Sequence, residues 1–294
     1  LSFSVFAIAL PTMLVFLTGE TAMNFLFLQF AHSSLGWFEW FMHLGIPSLI
    51  SSIATTLLFL ALFKPTGEFN IDKTSIMARQ AEMGKLTTVE KKAAIYLVIL
   101  IIFWLTDNIH HIDVTYGTMF IAMIMSLPVV GDLIQAKDYA SIPMNLLLFL
   151  TGATAIGAVG EVTGMNHWIA ATILPASIPA NPFVVAAFVS IITIVLHMFL
   201  GSMVTVLAIV VPIMVTYTAG MNINPLCVAF FAYNAIALHY LFPFHQLTLT
   251  AGYEPAGFGN KETLRMGIPL TLVVFFINCC ICVPWWQLTG FINK

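Results

Sequence analysis

Few residues in this sequence could bind an ion or move a proton, and they gather in four short runs. The first is Leu17-Thr18-Gly19-Glu20-Thr21-Ala22-Met23-Asn24, polar and flanked by apolar residues. Glu20 is one of the few carboxylates that a membrane interior could surround, which makes it a functional candidate; the competing reading puts it at an interface, at the end of a span. The second run is Thr151-Gly152-Ala153-Thr154 through Gly157 and Gly160. Small residues spaced along a helix fit close packing better than ligand binding. The third is Gly201-Ser202, with Thr205 a turn later. The fourth is His239-Tyr240-Leu241-Phe242-Pro243-Phe244-His245-Gln246, running on to Thr248 and Thr250. Pro243 cannot continue a helical hydrogen-bond ladder, so carbonyls freed there need a bound cation or a neighbouring helix.

The chemistry such runs permit is binding rather than bond-making. No Lys or Arg lies inside an apolar run, so an anion at that depth is held by helix N-termini, backbone amides and small hydroxyls, helped by co-bound cations. His197 and His239 are candidate proton carriers, although a histidine facing a neighbouring helix is more often simply packed and hydrogen-bonded. His110-His111 with Asp107 and Asp113 has metal-ligand types but reads better as a short solvated turn. Cys279-Cys280-x-Cys282 lacks the spacing of a zinc site and reads as small buried thiols in a helix. There is no Walker A, no H-E-x-x-H and no G-x-S-x-G, and no soluble portion large enough for an ATPase domain. No catalytic residue, metal ligand or organic cofactor is expected, and the chain is not expected to be an enzyme.

The elements that must position these runs are apolar helices. Of the 294 residues 60% are hydrophobic and 8% charged, against about 25% charged in a typical soluble domain. The mean hydropathy is +0.98. Too few polar side chains exist to make a water-facing skin, so lipid must cover the surface. A net charge of −3 implies no nucleic-acid partner. A spanning helix takes about 20 mostly apolar residues, and candidates run over 1–17, 40–63, 93–106, 113–130, 143–160, 183–200, 203–219, 225–243 and 266–288.

The long polar connection 64–92 holds Lys64, Lys73, Arg79, Lys85, Lys91 and Lys92, six of the ten basic residues, and is therefore expected on the cytoplasmic side. Carrying the orientation forward places 107–112, 161–182 and 220–224 outside, and 131–142 and 244–265 inside. Nine basic residues then lie inside and one, Lys294, outside. A single span over 183–219 would move Lys261 and Arg265 outside, so the charges support a break at Gly201-Ser202. Two full spans and a re-entrant hairpin fit equally well. Residue 1 is Leu, within an apolar run and without a charged leader. The expectation is a sequence that starts inside a longer protein.

In order along the chain, Leu10-Pro11-Thr12, Phe16-Leu17-Thr18-Gly19 with Asn24, Trp104-Leu105-Thr106 before Ile109-His110, Leu147 to Gly152 with Gly164, Ser202 to Pro212, and Gly252-Tyr253 before Asn260-Lys261-Glu262 together resemble the divalent anion/sodium symporter family. That family carries dicarboxylates, citrate or sulfate, and the likeness is nearest to its citrate/succinate carriers and plastid dicarboxylate translocators. The resemblance implies an all-α polytopic membrane protein, with inverted repeats, helical hairpins and broken helices. Residues 1–63 would close the first repeat, 64–92 would be the cytoplasmic loop, and 93–294 would be the second repeat with its hairpin at 183–219. Most of the first repeat, including its hairpin, would lie upstream of Leu1.

The family's hairpin tips carry Ser-Asn-Thr. Here Ser202 matches, while Met203 and Val204 replace Asn and Thr. The resemblance then implies substrate contacts from Ser202, Thr205, Pro243 and Thr248, with Thr18 and Asn24 on the other half. Ion contacts would come from Gly19, Gly201, Ser202 and Phe242. It also implies a small anionic substrate, sodium as coupling ion, a homodimer in the lipid bilayer, and a bacterial inner (plasma) membrane. The altered tip keeps anion exchange and proton coupling open. The alternative from another class is a non-transporting membrane component or truncated product that packs with a partner.

Overall fold

The computed structural model describes residues 2–64, 73–128, 130–142 and 144–293; the 65–72 part of the expected cytoplasmic loop lies outside them. The protein is an all-α multi-pass membrane protein. In chain order its helices are α1 (Ser2–Met13), α2 (Thr21–Phe30), α3 (Trp37–Leu62), α4 (Lys73–Met83), α5 (Thr88–Leu105), α6 (Val114–Ser126), α7 (Met144–Val162), α8 (Met165–Ile173), α9 (Pro182–Leu200), α10 (Met203–Tyr217), α11 (Pro225–Leu238), α12 (Leu247–Ala256) and α13 (Asn260–Leu288). Single turns at Asp107–His110 and Ala136–Tyr139 and a 3-10 turn at Pro243–His245 complete the described elements. Helices α3, α9 and α13 are each long and apolar enough to cross a bilayer, at mean hydropathies of 1.8, 2.6 and 2.4.

The helix ends follow from their capping residues. Thr87 and Glu90 close a capping box on α5. Asp113, Asn181 and Asn224 accept from the first-turn amides of α6, α9 and α11 at 2.7, 2.9 and 2.9 Å, and Pro182 and Pro225 open α9 and α11. Each cap satisfies an amide that has no partner within its own helix.

Two long helices carry π-helical turns, Phe41–Gly45 in α3 and Ile277–Cys282 in α13. A shift from i→i+4 to i→i+5 bonding leaves carbonyls to be satisfied from outside the helix. In α3 these are Met42 and His43, whose oxygens accept from the indoles of Trp285 and Trp286 at 2.8 and 2.7 Å. In α13, Asn278 reaches Ser190 Oγ at 2.8 Å and the Phe231 carbonyl at 3.0 Å. The thiols in this turn differ in setting: Cys282 is buried and accepts from Asn234, whereas Cys280 is exposed, against the expectation of uniformly buried cysteines.

The chain divides into two compact units. One comprises Leu1–Leu35, Glu39–Leu62 and Met144–Lys294; the other comprises Gly36–Phe38 and Phe63–Pro143. In the smaller unit α5 and α6 approach closely at Gly117, where a side chain would run into the Phe103 ring. Trp104 donates to Thr118 Oγ1 at 3.1 Å. Helix α5 buries none of its residues within the described structure, and its exposed Ile95, Leu97, Val98, Ile101 and Ile102 suit a lipid-facing surface. The Asp107–His110 turn is held by one distant and two local bonds: Asp107 accepts from Trp37 N, 70 residues earlier, and His110 bonds the Phe103 carbonyl and the Ile112 amide.

Several boundaries differ from those read in the sequence. Residues 161–182, 64–92 and 244–265 were expected as connections but contain α8, α4 and α12. The first apolar run ends as helix at Met13 and the run 225–243 ends at Leu238. Close packing holds at Gly160, against the Asn166 side chain, but not at Gly152, where a side chain would meet nothing within 4 Å.

Candidate functional site

Two helices of the larger unit are interrupted in the middle. Helices α1 and α2 flank one break over residues 14–20, and α11 and α12 flank the other over 239–246. The half-helices have 12, 10, 14 and 10 residues. At about 1.5 Å per residue each falls short of the roughly 30 Å hydrocarbon layer. The breaks are therefore drawn toward mid-membrane, where every freed polar group needs a partner.

At the second break Pro243 supplies the interruption, with Phe242 in the extended conformation (φ −121, ψ 154) that a residue before proline prefers. Freed carbonyls are taken up by side chains. The Gln246 amide donates to Ile236 O at 2.6 Å and His239 O at 3.2 Å. Thr250 donates to Pro243 O at 2.9 Å. His197, from the last turn of α9, bonds His245 O at 3.2 Å and the ring of His239 at 3.2 Å. Gly267 of α13 lies directly against the Tyr240 carbonyl, leaving no room for a side chain.

The hairpin is formed by α9 and α10. Gly201 ends α9 in the left-handed region (φ 62), a conformation that costs a glycine nothing. Ser202 then caps α10: its Oγ accepts from the Thr205 hydroxyl at 3.0 Å and, more distantly, the Thr205 amide at 3.4 Å. The Phe244 ring covers the tip, 3.3 Å from where a Gly201 side chain would begin. Gly201 thus lies beside the segment that contains Phe242 and Pro243, through the Phe244 ring. Thr248 follows in the first turn of α12, half-buried. The amino-terminal end of α10 presents its partial positive charge at this tip.

At the first break Gly19 makes a tight turn against the carbonyls of Met13 and Phe16. The Asn24 amide donates back to Phe16 O at 3.2 Å and Leu17 O at 3.0 Å. Trp40 donates to Leu14 O at 2.9 Å. The Asn24 oxygen accepts from Tyr233 of α11, and Phe27 stacks on Tyr233 with ring centroids 4.5 Å apart. Thr18 and Glu20 stand half-buried at the amino-terminal end of α2. The first break is therefore tied to α11 by Tyr233 and Asn24, and the second, at the end of α11, is tied to the hairpin by His239 and His197.

A groove runs between α2 and α7. One part, of ≈ 290 Å³, is lined by Ala22, Gln29, Thr151 and Thr154; a second, of ≈ 200 Å³, shares Gln29 and Thr154 and adds Ala158 and Pro212. Sequence reasoning named Gln246 only as the end of the fourth run, without a role, and singled out neither Tyr233 nor Gly267. A glutamine just after a proline break was the available signal for the first; the other two depend on contacts made far along the chain.

Nearly the whole sequence matches one known family. The profile of the sodium:sulfate symporter transmembrane region aligns with residues 1–292. The chain belongs to the sodium:sulfate symporter transmembrane family. Similar proteins include an uncharacterized transporter of Synechocystis sp., 25% identical over 199 residues (68% of this chain, 32% of the relative). A membrane protein of Cupriavidus necator is 21% identical over 284 residues (92% and 55%). An uncharacterized transporter of Haemophilus influenzae is 24% identical over 180 residues (59% and 36%). The chain spans about a third to a half of the length of these relatives. The two breaks and the hairpin tip are where the ligands of a protein of this family are sought.

Proposed function

We propose that the chain forms the second-repeat part of the translocation site of a secondary transporter for small divalent anions, either dicarboxylates, citrate-like tricarboxylates or sulfate. The observation that carries this reading is the capped tip Gly201-Ser202 held against a proline-broken helix. No Lys or Arg lies in the apolar runs around the hairpin tip and the breaks, so the anion is held by the α10 amino terminus, the Ser202 and Thr205 hydroxyls, and the Pro243 and Thr248 side of the break. Thr18 lines the other half, whose backbone is held by the buried Asn24. A helix N-terminus combines free amides with a partial positive charge, which suits a carboxylate or sulfate oxygen. Gly19, Gly201, Ser202 and Phe242 are the proposed contacts for a coupling sodium, through backbone oxygens and the serine hydroxyl. Met203 and Val204 offer no side-chain oxygen at the second tip, which favours fewer sodium ions than two intact tips would hold, or exchange in their place.

The first hairpin tip, implied by the family resemblance, completes the proposed site, and rocking of one repeat against the other gives alternating access. We place the protein in a bacterial inner (plasma) membrane as a homodimer. The reading is tested by reconstituting the intact protein, with its first repeat present, in liposomes and measuring uptake of succinate, malate, citrate, oxoglutarate and sulfate, with and without a sodium gradient. Saturable uptake of at least one supports it. No saturable uptake of any of the five, in either condition, overturns it in favour of a non-transporting component.

A further inference from the structure

Three imidazoles meet at the second break. His197 comes from α9, and His239 and His245 come from either side of Pro243. All three are buried, with ring centroids 5.1 to 5.8 Å apart. Their hydrogen bonds determine where the protons sit. His197 Nε2 lies 3.2 Å from His245 O; a carbonyl can only accept, so Nε2 carries hydrogen. A neutral imidazole has one N–H, so His197 Nδ1 is an acceptor. It faces His239 Nδ1 at 3.2 Å, which must therefore donate. His245 Nδ1 accepts from the Leu241 amide at 3.1 Å, which leaves its hydrogen on Nε2. That buried Nε2 has no hydrogen-bond partner. One assignment satisfies every bond, and it ends in a lone pair on His239 Nε2.

The same geometry accommodates a second state. A proton bound at His239 Nε2 makes that ring an imidazolium. The hydrogen on His239 Nδ1 can then pass across the 3.2 Å contact to His197 Nδ1. One N–H bond breaks on His239 and one forms on His197; His239 is left neutral with its hydrogen on Nε2. The charge now sits on His197, whose Nε2–H bond to His245 O is strengthened by it. Only one hydrogen fits between the two Nδ1 atoms, so the pair takes up one proton in this geometry and not two.

The charge would arise where it is useful. His197 lies one helical turn before Gly201, whose amide bonds the His197 carbonyl at 2.9 Å, and Phe244, next to His245, covers the hairpin tip. Several backbone oxygens that a metal cation could have used at this break are already occupied by Gln246, Thr250 and His197. We infer that the His197–His239–His245 cluster is a proton-binding site that supplies the positive charge at the tip of the α9–α10 hairpin, so that anion binding at this half is coupled to one proton. The inference rests on the transport reading for its coupling to anion binding.

Other titratable groups on the packed elements stand apart in the chain. Helix α10 carries Tyr217 at its far end. Helix α11 carries Cys227 and Tyr233, and α12 carries Tyr253 and Glu254. Helix α13 carries Lys261, Glu262 and Arg265 in its first turns and Cys279, Cys280 and Cys282 in its π turn. Tyr240 adjoins the cluster in sequence, with a buried hydroxyl.

Nitrogen NMR of histidine-labelled protein in lipid tests the site without reference to transport. Expected near pH 8 are His197 hydrogenated at Nε2 and His239 at Nδ1, with one proton gained by the pair as the pH is lowered through and below the ordinary histidine range. Resonances are assigned by loss in His197→Gln and His239→Gln. Two rings that titrate independently, or no proton gained, overturn the proposal. Uptake in liposomes supplies the second measurement. Wild type should respond to an inward proton gradient, His239→Gln should lose that response, and His167→Gln, at an exposed position on α8, should keep it. A His239→Gln protein with the wild-type pH profile overturns the proposal. If wild type takes up no anion under any gradient, the transport reading and its coupling fail together, and the NMR result decides the proton site alone.

Discussion

The Tyr233 hydroxyl donates to the Asn24 amide oxygen, joining residues 209 positions apart in the chain. On the other side of the same amide, the Asn24 nitrogen holds the Phe16 and Leu17 carbonyls of the first break. One buried side chain thus organises the first interruption and fastens it to the half-helix that leads into the second. Asn24→Ala leaves two carbonyls and the tyrosine hydroxyl without this partner. Each such group costs about 1–3 kcal/mol when buried unpaired, so a clear fall in melting temperature in detergent is expected. Tyr233→Phe should cost less, since it strands one acceptor. The double variant should be less destabilised than the sum, because the two share a bond. Additive losses would mean the contact is not made.

Gly267 is where α13 touches the second break. An added methyl there meets the Tyr240 carbonyl, which is backbone and cannot swing aside. Gly267→Ala should therefore displace the break and cost about 1–3 kcal/mol, the usual range for overpacking, with loss of uptake. Gly152→Ala is the control, because nothing lies within 4 Å of its new methyl, and alanine is the better helix former by about 0.5–1 kcal/mol. Equal behaviour of the two variants in melting and uptake would show that α13 does not press on the break.

The interruptions were legible because proline and glycine mark them: Pro243 cannot donate, and Gly201 permits the left-handed turn. The half-helix α12 was not. Thr248, Thr250 and Tyr253 break its apolar run, and a helix that borders a binding site is polar for the same reason that a loop is. The π turns left no sequence mark at all. The carbonyls freed in Phe41–Gly45 are satisfied by Trp285 and Trp286, 243 residues further on, so the cause of the distortion is tertiary. His197 was legible as a packed histidine but not as the partner of His239 and His245. Its role depends on how α9 meets a break 42 and 48 residues later.

The nine-to-one division of basic residues predicts the sidedness of the connections. Single cysteines at Gln80, Thr163 and Asn260, in a background free of the four native cysteines, report it through labelling by an impermeant maleimide. All three positions are exposed; Asn166, also in the 161–182 segment, is buried and would label poorly in either orientation. Gln80 and Asn260 should label from the cytoplasmic side and Thr163 from the opposite side. Labelling of Thr163 together with the other two would overturn the orientation.

Ser202 has two separable roles at the tip, and graded substitutions distinguish them. As the cap of α10 it accepts from Thr205, and loss of such a cap costs about 1 kcal/mol. As a proposed ligand it presents a hydroxyl beside the α10 amides. Ser202→Ala removes the cap and the hydroxyl but leaves the amides open, so uptake should weaken while the protein still accumulates. Ser202→Asn restores a capping oxygen and should recover the lost stability. Ser202→Leu fills the space in front of the amides. A small anion is held by a few charge-assisted bonds, each worth about 1.5–3 kcal/mol, and losing access to them should abolish uptake. Protein level and melting temperature of Ser202→Leu, measured beside Ser202→Ala, separate a blocked site from a failed fold. Wild-type uptake by Ser202→Leu at normal protein level would remove the hairpin tip from the binding site.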